Sequence, residues 1–314
     1  MGKIPLIIIA GPTAVGKTDL SIKLAHKYNT SIISADSMQI YRHMDKGTAK
    51  PSIEEMDGVN HYMIDVVEPS EDFSVAEFCR LAEGYIEDIH SNGHIPIVAG
   101  GTGLYINSLL YDMDFSSSQS NEKLRKELRD FANEHGPEKL HEKLRAVSPE
   151  NADNIHPNNV KRVIRALEIY YETGNEKKDF ASAPKPSTKY DPILIVLNRD
   201  REHLYSRINK RVDIMMEDGL LDEVRQLLEM GCTQNMISMR GIGYKEIICH
   251  LEGLYFLEEA VEEVKLNSRR YAKRQLTWFR RYDFAKWFNI DEFDDYSALE
   301  KSVIDYIEHM LSNR

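Results

Sequence analysis

Eight consecutive residues, Gly11-Pro12-Thr13-Ala14-Val15-Gly16-Lys17-Thr18, carry the spacing G-x-x-x-x-G-K-[ST]. Glycines at that spacing let backbone N–H groups wrap a phosphate chain at the start of a helix. Lys17 adds a point charge, and Thr18 offers a hydroxyl to Mg²⁺. The flanks agree. Ile4-Pro5-Leu6-Ile7-Ile8-Ile9 reads as a buried strand, and apolar residues at 20, 22, 24 and 25 read as a short helix. A plain glycine turn would leave Lys17-Thr18 unexplained, so the chemistry expected here is diphosphate binding.

Other residues could act on a ligand held there. Asp36 closes a second apolar run, where its carboxylate would face the phosphate site as a Mg²⁺ ligand or a general base. Capping a turn is the plainer use of an Asp at that place. Gly100-Gly101-Thr102-Gly103 follows a third run and puts one hydroxyl at the mouth of the site, although a turn explains its glycines equally well. Arg207 and Arg211, spaced i, i+4, suit a phosphate clamp or a surface ion-pair array.

Two further basic groups stand out. Lys161, Arg162 and Arg165 share a broad helix face opposite an apolar stripe, and Glu168 is placed to pair with Arg165. Such a face suits an RNA backbone or plain solvent. Arg240-Gly241-Ile242-Gly243-Tyr244-Lys245 packs two glycines and two cations into six residues, which suggests a loop shaped around a ligand. In Gln275-Leu276-Thr277-Trp278-Phe279-Arg280-Arg281 the aromatics are expected in the core rather than as base-stacking platforms.

The elements that must position these groups can be read from the apolar runs. Leu6–Ala10, Ser31–Ala35, Ile95–Ala99 and Ile193–Leu197 are short, β-branched and bounded by polar residues or Gly, as strands covered on both faces are. Helical patterns separate them. The class is therefore α/β, a P-loop NTPase-like doubly wound parallel sheet, with ligands expected at the carboxyl ends of the strands.

Residues 114–190 break the alternation and read as a helical insertion, leaving 1–113 and 191–314 as the core. The insertion opens on Ser116-Ser117-Ser118-Gln119-Ser120. It carries an N-cap followed by Pro at Ser148-Pro149, an apolar helix from Asn159 to Tyr171 and a stop at Gly174. Asn175–Tyr190, with Lys, Ser and two prolines, reads as a loop. From about 200 onward the chain reads as helices.

Bulk properties bound the partners. The 314 residues are 42% hydrophobic, enough for one large domain or two modest ones. No apolar run approaches membrane-spanning length and the N-terminus enters the first strand directly, so neither a span nor a signal peptide is expected. Cys79, Cys232 and Cys249 are scattered, which points to the cytoplasm and away from disulfides or zinc. Nothing calls for an obligate interface, so a monomer is expected. The net charge of −11 argues against nucleic acid, but the charge is segregated. Ser52 to Asp88 holds eleven acidic residues and one Arg, whereas Lys265 to Arg281 holds seven basic residues and no acidic one. A basic face on an acidic protein can still bind RNA.

On these residues alone a small-molecule kinase, with ATP on the phosphate loop, stays open. So does an enzyme that modifies free adenine nucleotides. A switch GTPase does not: Asn209-Lys210-Arg211-Val212 has Val where guanine recognition needs Asp, and no Asp-x-x-Gly occurs.

Taken together, the motifs closely resemble the bacterial tRNA dimethylallyltransferases, also called tRNA isopentenyltransferases. The matching pieces are GPTAVGKT at 11–18, ISADSMQIYRHMDKGTAKP at 33–51, HYMIDVVEP at 61–69, VAGGTGLYI at 98–106, NVKRVIRALE at 159–168, SMRGIGYKE at 238–246 and RRYAKRQLTWFRR at 269–281. They stand in the family's order along nearly the whole chain. The resemblance implies transfer of the dimethylallyl group from dimethylallyl diphosphate to N6 of adenosine 37 in tRNA, with Mg²⁺ on Thr18.

By that resemblance, Gly11 to Thr18 would hold the leaving diphosphate with Arg211. Asp36 would take the amine proton, and Thr13 and Thr102 would position donor and nucleophile. Contacts to the tRNA anticodon stem-loop would come from Asp36, Ser37, Met38, Gln39 and Thr102, and from Arg125, Lys161, Arg162, Val163, Ile164 and Arg165 on the insertion. Arg240, Gly241, Ile242, Gly243, Tyr244 and Lys245 would complete them. Lys245 stands where many relatives carry Arg, which keeps the charge and loses a bidentate fork.

Overall fold

The computed structural model describes residues 2–113, 121–174 and 185–313. Six parallel strands form one sheet in the order β3-β2-β4-β1-β5-β6. They are β1 Ile4–Ala10, β2 Ile32–Ser34, β3 His61–Tyr62, β4 Ile97–Gly100, β5 Tyr190–Asn198 and β6 Lys286–Asn289. β1 sits in the middle, pairing Ile7 with Ile97 of β4 and with Ile193 of β5. Leu6 to Ala10 are fully buried, as a strand covered on both faces requires.

The four expected strands are all present, and two are added. β3 has only two residues. β6 is a short edge strand, Lys-Trp-Phe-Asn, in which only Phe288 is buried, and it pairs with Ile195–Asn198. The expectation that the chain is helical throughout after residue 200 is corrected by β6. Its weak apolar content hides it between two long helices.

By contacts the chain divides into two compact units, Met1–Leu110 with Thr188–Arg314, and Tyr111–Ser187. The first unit holds the sheet and the helices α1 Lys17–Tyr28, α2 Ile53–Met56, α3 Val75–Ser91 and α4 Gly103–Leu110. The second holds α5 Glu122–His135, α6 Pro137–Val147, α7 Pro149–Asn154 and α8 Val160–Thr173. The chain then returns to the first unit through β5 and continues with α9 Arg201–Glu217, α10 Leu220–Glu229, α11 Tyr244–Leu251, α12 Leu257–Phe279 and α13 Tyr296–Ser312. Among the described residues no helix is long and apolar enough to cross a membrane.

The second unit has its own core of Leu128, Leu140, Leu144, Val163, Ile164 and Leu167. Pro149 opens α7 after the N-cap residue Ser148, as read from the sequence. The Ser148 hydroxyl, however, accepts from Asn151 Nδ2 at 2.8 Å and caps no backbone amide. Gly174 closes α8 in the left-handed conformation. The serine run 116–120 and most of the loop read at 175–190 lie outside the described residues.

Candidate active site

The site is built where β1, β2 and β4 end. Beyond β1, Gly16 takes a φ of 110° as the N-cap residue of α1, a left-handed conformation that suits glycine. Lys17 therefore starts the helix, and its ammonium folds back to donate to Pro12 O at 2.8 Å. Beyond β4, a Cβ on Gly100 would lie 2.2–2.7 Å from the Ala35 backbone. Only glycine lets the ends of β2 and β4 come so close. Thr102 N then donates to Ala35 O at 3.0 Å.

Asp36 follows β2 and does two things. Its Oδ1 accepts from Met38 N at 2.9 Å, the turn-capping use foreseen, and the residue also lines the cavity over the phosphate loop. The Thr102 hydroxyl accepts from Ser37 N at 2.9 Å and lies 3.3 Å from Ser37 Oγ. Thr102 thus fixes the turn that carries Asp36. Gln39 accepts from Ser34 Oγ at 3.1 Å and donates to Ala49 O at 3.4 Å, holding the outer wall.

Thr13, Lys17, Thr18, Asp36, Arg211 and Gln275 all line one cleft, which encloses about 670 Å³ including its open mouth. Two half-buried cations, Lys17 and Arg211, face it together. Burial, then the Arg211 guanidinium, bring the Lys17 ammonium down to about 8, while Asp36 works the other way. Burial likewise lowers Arg211, whose Nη2 donates to Ala49 O at 3.3 Å. Cations held together in a water-poor cleft are primed for an anion that satisfies both. Arg207 has a different task from its expected partner: its Nε donates to Ala14 O at 2.9 Å and braces the loop from behind.

The segment 240–245 comes to the same unit. A Cβ on Gly241 would lie 2.7 Å from Met38 Cε, so this loop packs directly on the turn after Asp36. Arg240 and Lys245 are exposed. Tyr244 is not a surface contact as its motif suggested. It is fully buried, its ring packs on Gly47 and its hydroxyl donates to Glu223 at 2.7 Å.

In the second unit the expected contact residues separate in the same way. Lys161 is exposed. Val163 and Ile164 are 0% and 5% exposed and form core, which corrects their assignment as RNA contacts through their side chains. Arg165 pairs with the buried Glu168 at 2.5 Å, as the spacing suggested, and Arg125 Nε pairs with the same carboxylate at 2.8 Å. Although burial opposes it, these bonds and that from Asn121 N hold the Glu168 carboxyl below its usual range.

A family model described as IPP transferase matches residues 39–282 of this chain. The chain belongs to the IPP transferase family.

Bacterial relatives match this family member over nearly their whole length. It is 56% identical to a tRNA dimethylallyltransferase of Clostridioides difficile (strain 630), over 98% of this chain and 99% of that protein. Among solved structures, the tRNA isopentenylpyrophosphate transferase of Bacillus halodurans is 45% identical. It superposes with a TM-score of 0.75 over 99% of this chain and 98% of its own. A eukaryotic dimethylallyltransferase acting on tRNA gives a TM-score of 0.83 at 33% identity, covering 100% of this chain and 80% of that one.

Some residues of this IPP transferase site escape a reading of motifs. Gln275 of α12 accepts from Thr13 N at 3.0 Å and donates to Gly101 O at 2.9 Å. Tyr271, one turn earlier, lines the cleft beside Thr102, and burial raises its hydroxyl. A signal was present: Gln275 sits between Ala272 and Phe279 in the buried row of α12, where an apolar residue is expected. Phe279 is core as anticipated, and Trp278 is half-buried with its ring against Gly103. For a metal, Thr18, Ser34 and Asp36 bring hydroxyl and carboxylate oxygens to the cleft wall. That hard donor set fits Mg²⁺, which binds through few protein ligands plus phosphate oxygens.

Proposed function

We propose that this chain transfers a dimethylallyl group from dimethylallyl diphosphate to N6 of adenosine 37 in the tRNA anticodon stem-loop. The observation that carries this reading is one cleft in which the phosphate loop, the Arg211 cation and the Asp36 carboxylate converge. High identity to a tRNA dimethylallyltransferase over nearly the full length supports it.

Each residue has a role that its chemistry allows. The amides of Ala14 to Thr18, with Lys17 and Arg211, take up the charge that grows on the diphosphate as its C–O bond breaks. When bound, Mg²⁺ held by Thr18 adds to that neutralisation. The free oxygen of Asp36 accepts the N6 proton as the new C–N bond forms, while Met38 N keeps the other oxygen in place. Thr102 holds that turn to the acceptor. An adenine stacked in a loop must leave its stack to enter such a cleft, at a cost of a few kcal/mol. Lys161, Arg162, Arg165 and Arg125 on the helical unit, and Arg240 and Lys245, would contribute by contacts to the RNA backbone.

The test is mass spectrometry of an anticodon stem-loop RNA with adenosine at 37, incubated with protein, Mg²⁺ and dimethylallyl diphosphate, with free AMP as competitor. A gain of one C5H8 unit on the RNA adenosine is expected. Prenylated AMP with untouched RNA would move the assignment to a free-nucleotide enzyme, and no transfer to either would overturn it.

A further inference from the structure

Gln275 closes a bridge between two loops. Its Oε1 accepts from Thr13 N at 3.0 Å and its Nε2 donates to Gly101 O at 2.9 Å. Thr13 belongs to the loop that carries Lys17. Gly101 leads into Thr102, which holds the Asp36 turn through Ser37 N at 2.9 Å. The side chain is 5% exposed, and a Cβ on Gly101 would lie 2.2 Å from Nε2, so the amide is packed onto that backbone.

A leucine would fill this place in the apolar row of α12 without desolvating an amide. The two bonds therefore call for an account beyond packing. The helix that supplies Gln275 runs unbroken for 23 residues, and Tyr271, one turn earlier, lines the same cleft. One rigid element thus grips both sides of the cleft. Displacement at carbon needs its two reacting atoms held within a few tenths of an ångström of contact distance, and small misplacements are costly.

We infer that Gln275 is a positioning residue for group transfer, setting the separation between the loop that holds the departing diphosphate and the turn that holds the acceptor's base. This role rests on the transferase function proposed above. It is distinct from substrate binding, because neither bond involves Lys17, Arg211 or Asp36.

Two variants test it. Gln275→Met keeps the length and removes both bonds, and Gln275→Glu keeps an acceptor for Thr13 N but has no proton for Gly101 O. For Q275M the expected result is a fall in kcat of about tenfold or more. Its dissociation constants for inorganic diphosphate and for the stem-loop RNA should stay within about threefold of wild type. For Q275E, kcat relative to wild type should rise about threefold or more from about pH 8 to about pH 6, as the carboxyl regains a proton to donate. If Q275M fails to fold, the Q275E profile decides alone. A smaller kcat loss, one matched by losses in both dissociation constants, or a Q275E ratio flat with pH would overturn the role. Wild-type protein that transfers nothing would overturn the function and this role with it, whereas active wild type beside a fully active Q275M overturns the role alone.

Discussion

Tyr244 donates its hydroxyl to Glu223 at 2.7 Å in the interior, and the same carboxylate accepts from three consecutive amides. Those are Asp45 N, Lys46 N and Gly47 N, at 2.8, 2.7 and 3.1 Å. The segment that runs on from Asp36 is thereby moored to α10 and α11, next to the 240–245 loop. Four donors on one carboxylate satisfy a charge that could not otherwise be buried.

Removing that hub should be expensive. Tyr244→Phe deletes one charge-assisted bond and should destabilise the protein by about 2 kcal/mol. Glu223→Ala strands three amides and a hydroxyl and should cost more, about 3 kcal/mol or above. Urea unfolding of both variants reads the difference directly. A Tyr244→Phe midpoint indistinguishable from wild type would mean that the ring's packing against Gly47 carries the anchor, with the bond idle.

The lowered Lys17 ammonium gives donor binding a pH dependence. In the free protein Lys17 loses its proton at about 8, and only the charged form attracts a diphosphate. Affinity should therefore fall as pH rises through about 8. Because the bound anion favours the ammonium, binding near that pH should take up a proton. Calorimetric titration of inorganic diphosphate in two buffers of different ionisation enthalpy measures the uptake, and Lys17→Met should abolish it. Equal heats in both buffers for wild type would refute the linkage.

What the sequence revealed divides by whether the information is local. The phosphate loop and the four core strands were legible because β-branched runs ending in glycine or Asp are local patterns. β6 was not, since Lys286-Trp287-Phe288-Asn289 becomes a strand only by pairing with β5. Gln275 and Glu223 were missed for a related reason. Each is an ordinary polar residue on an amphipathic helix until packing buries it against particular amides. Tyr244, Val163 and Ile164 show the converse: a motif shared for function also contains residues that hold its own helix in the core.

Glu168 makes the second unit sensitive to acid. Its buried carboxylate is shared by Arg125 and Arg165, which are 28% and 27% exposed. A carboxyl held below its usual range contributes stability that is present at neutral pH and lost as pH falls through the depressed value. Glu168→Gln should remove about 2 kcal/mol at neutral pH, less than a fully buried pair would because both arginines reach water. It should also flatten the acid limb of the stability profile. Thermal unfolding between neutral and acid pH separates the two cases, and a variant whose profile runs parallel to wild type would remove Glu168 from the acid response.

The choice of substitution at Asp36 decides what its test can mean. Alanine would remove both the cleft-facing oxygen and the acceptor for Met38 N, so lost activity could come from a collapsed turn. Asparagine keeps an acceptor for that amide and loses the basicity. If Asp36 accepts the N6 proton, Asp36→Asn should lower kcat by about a hundredfold or more while affinity for inorganic diphosphate stays within a few-fold. Single-turnover transfer to the stem-loop RNA, with diphosphate binding measured alongside, checks both halves. Near-wild-type transfer by Asp36→Asn would leave Asp36 as a turn cap and move the search for the base to other groups lining the cleft.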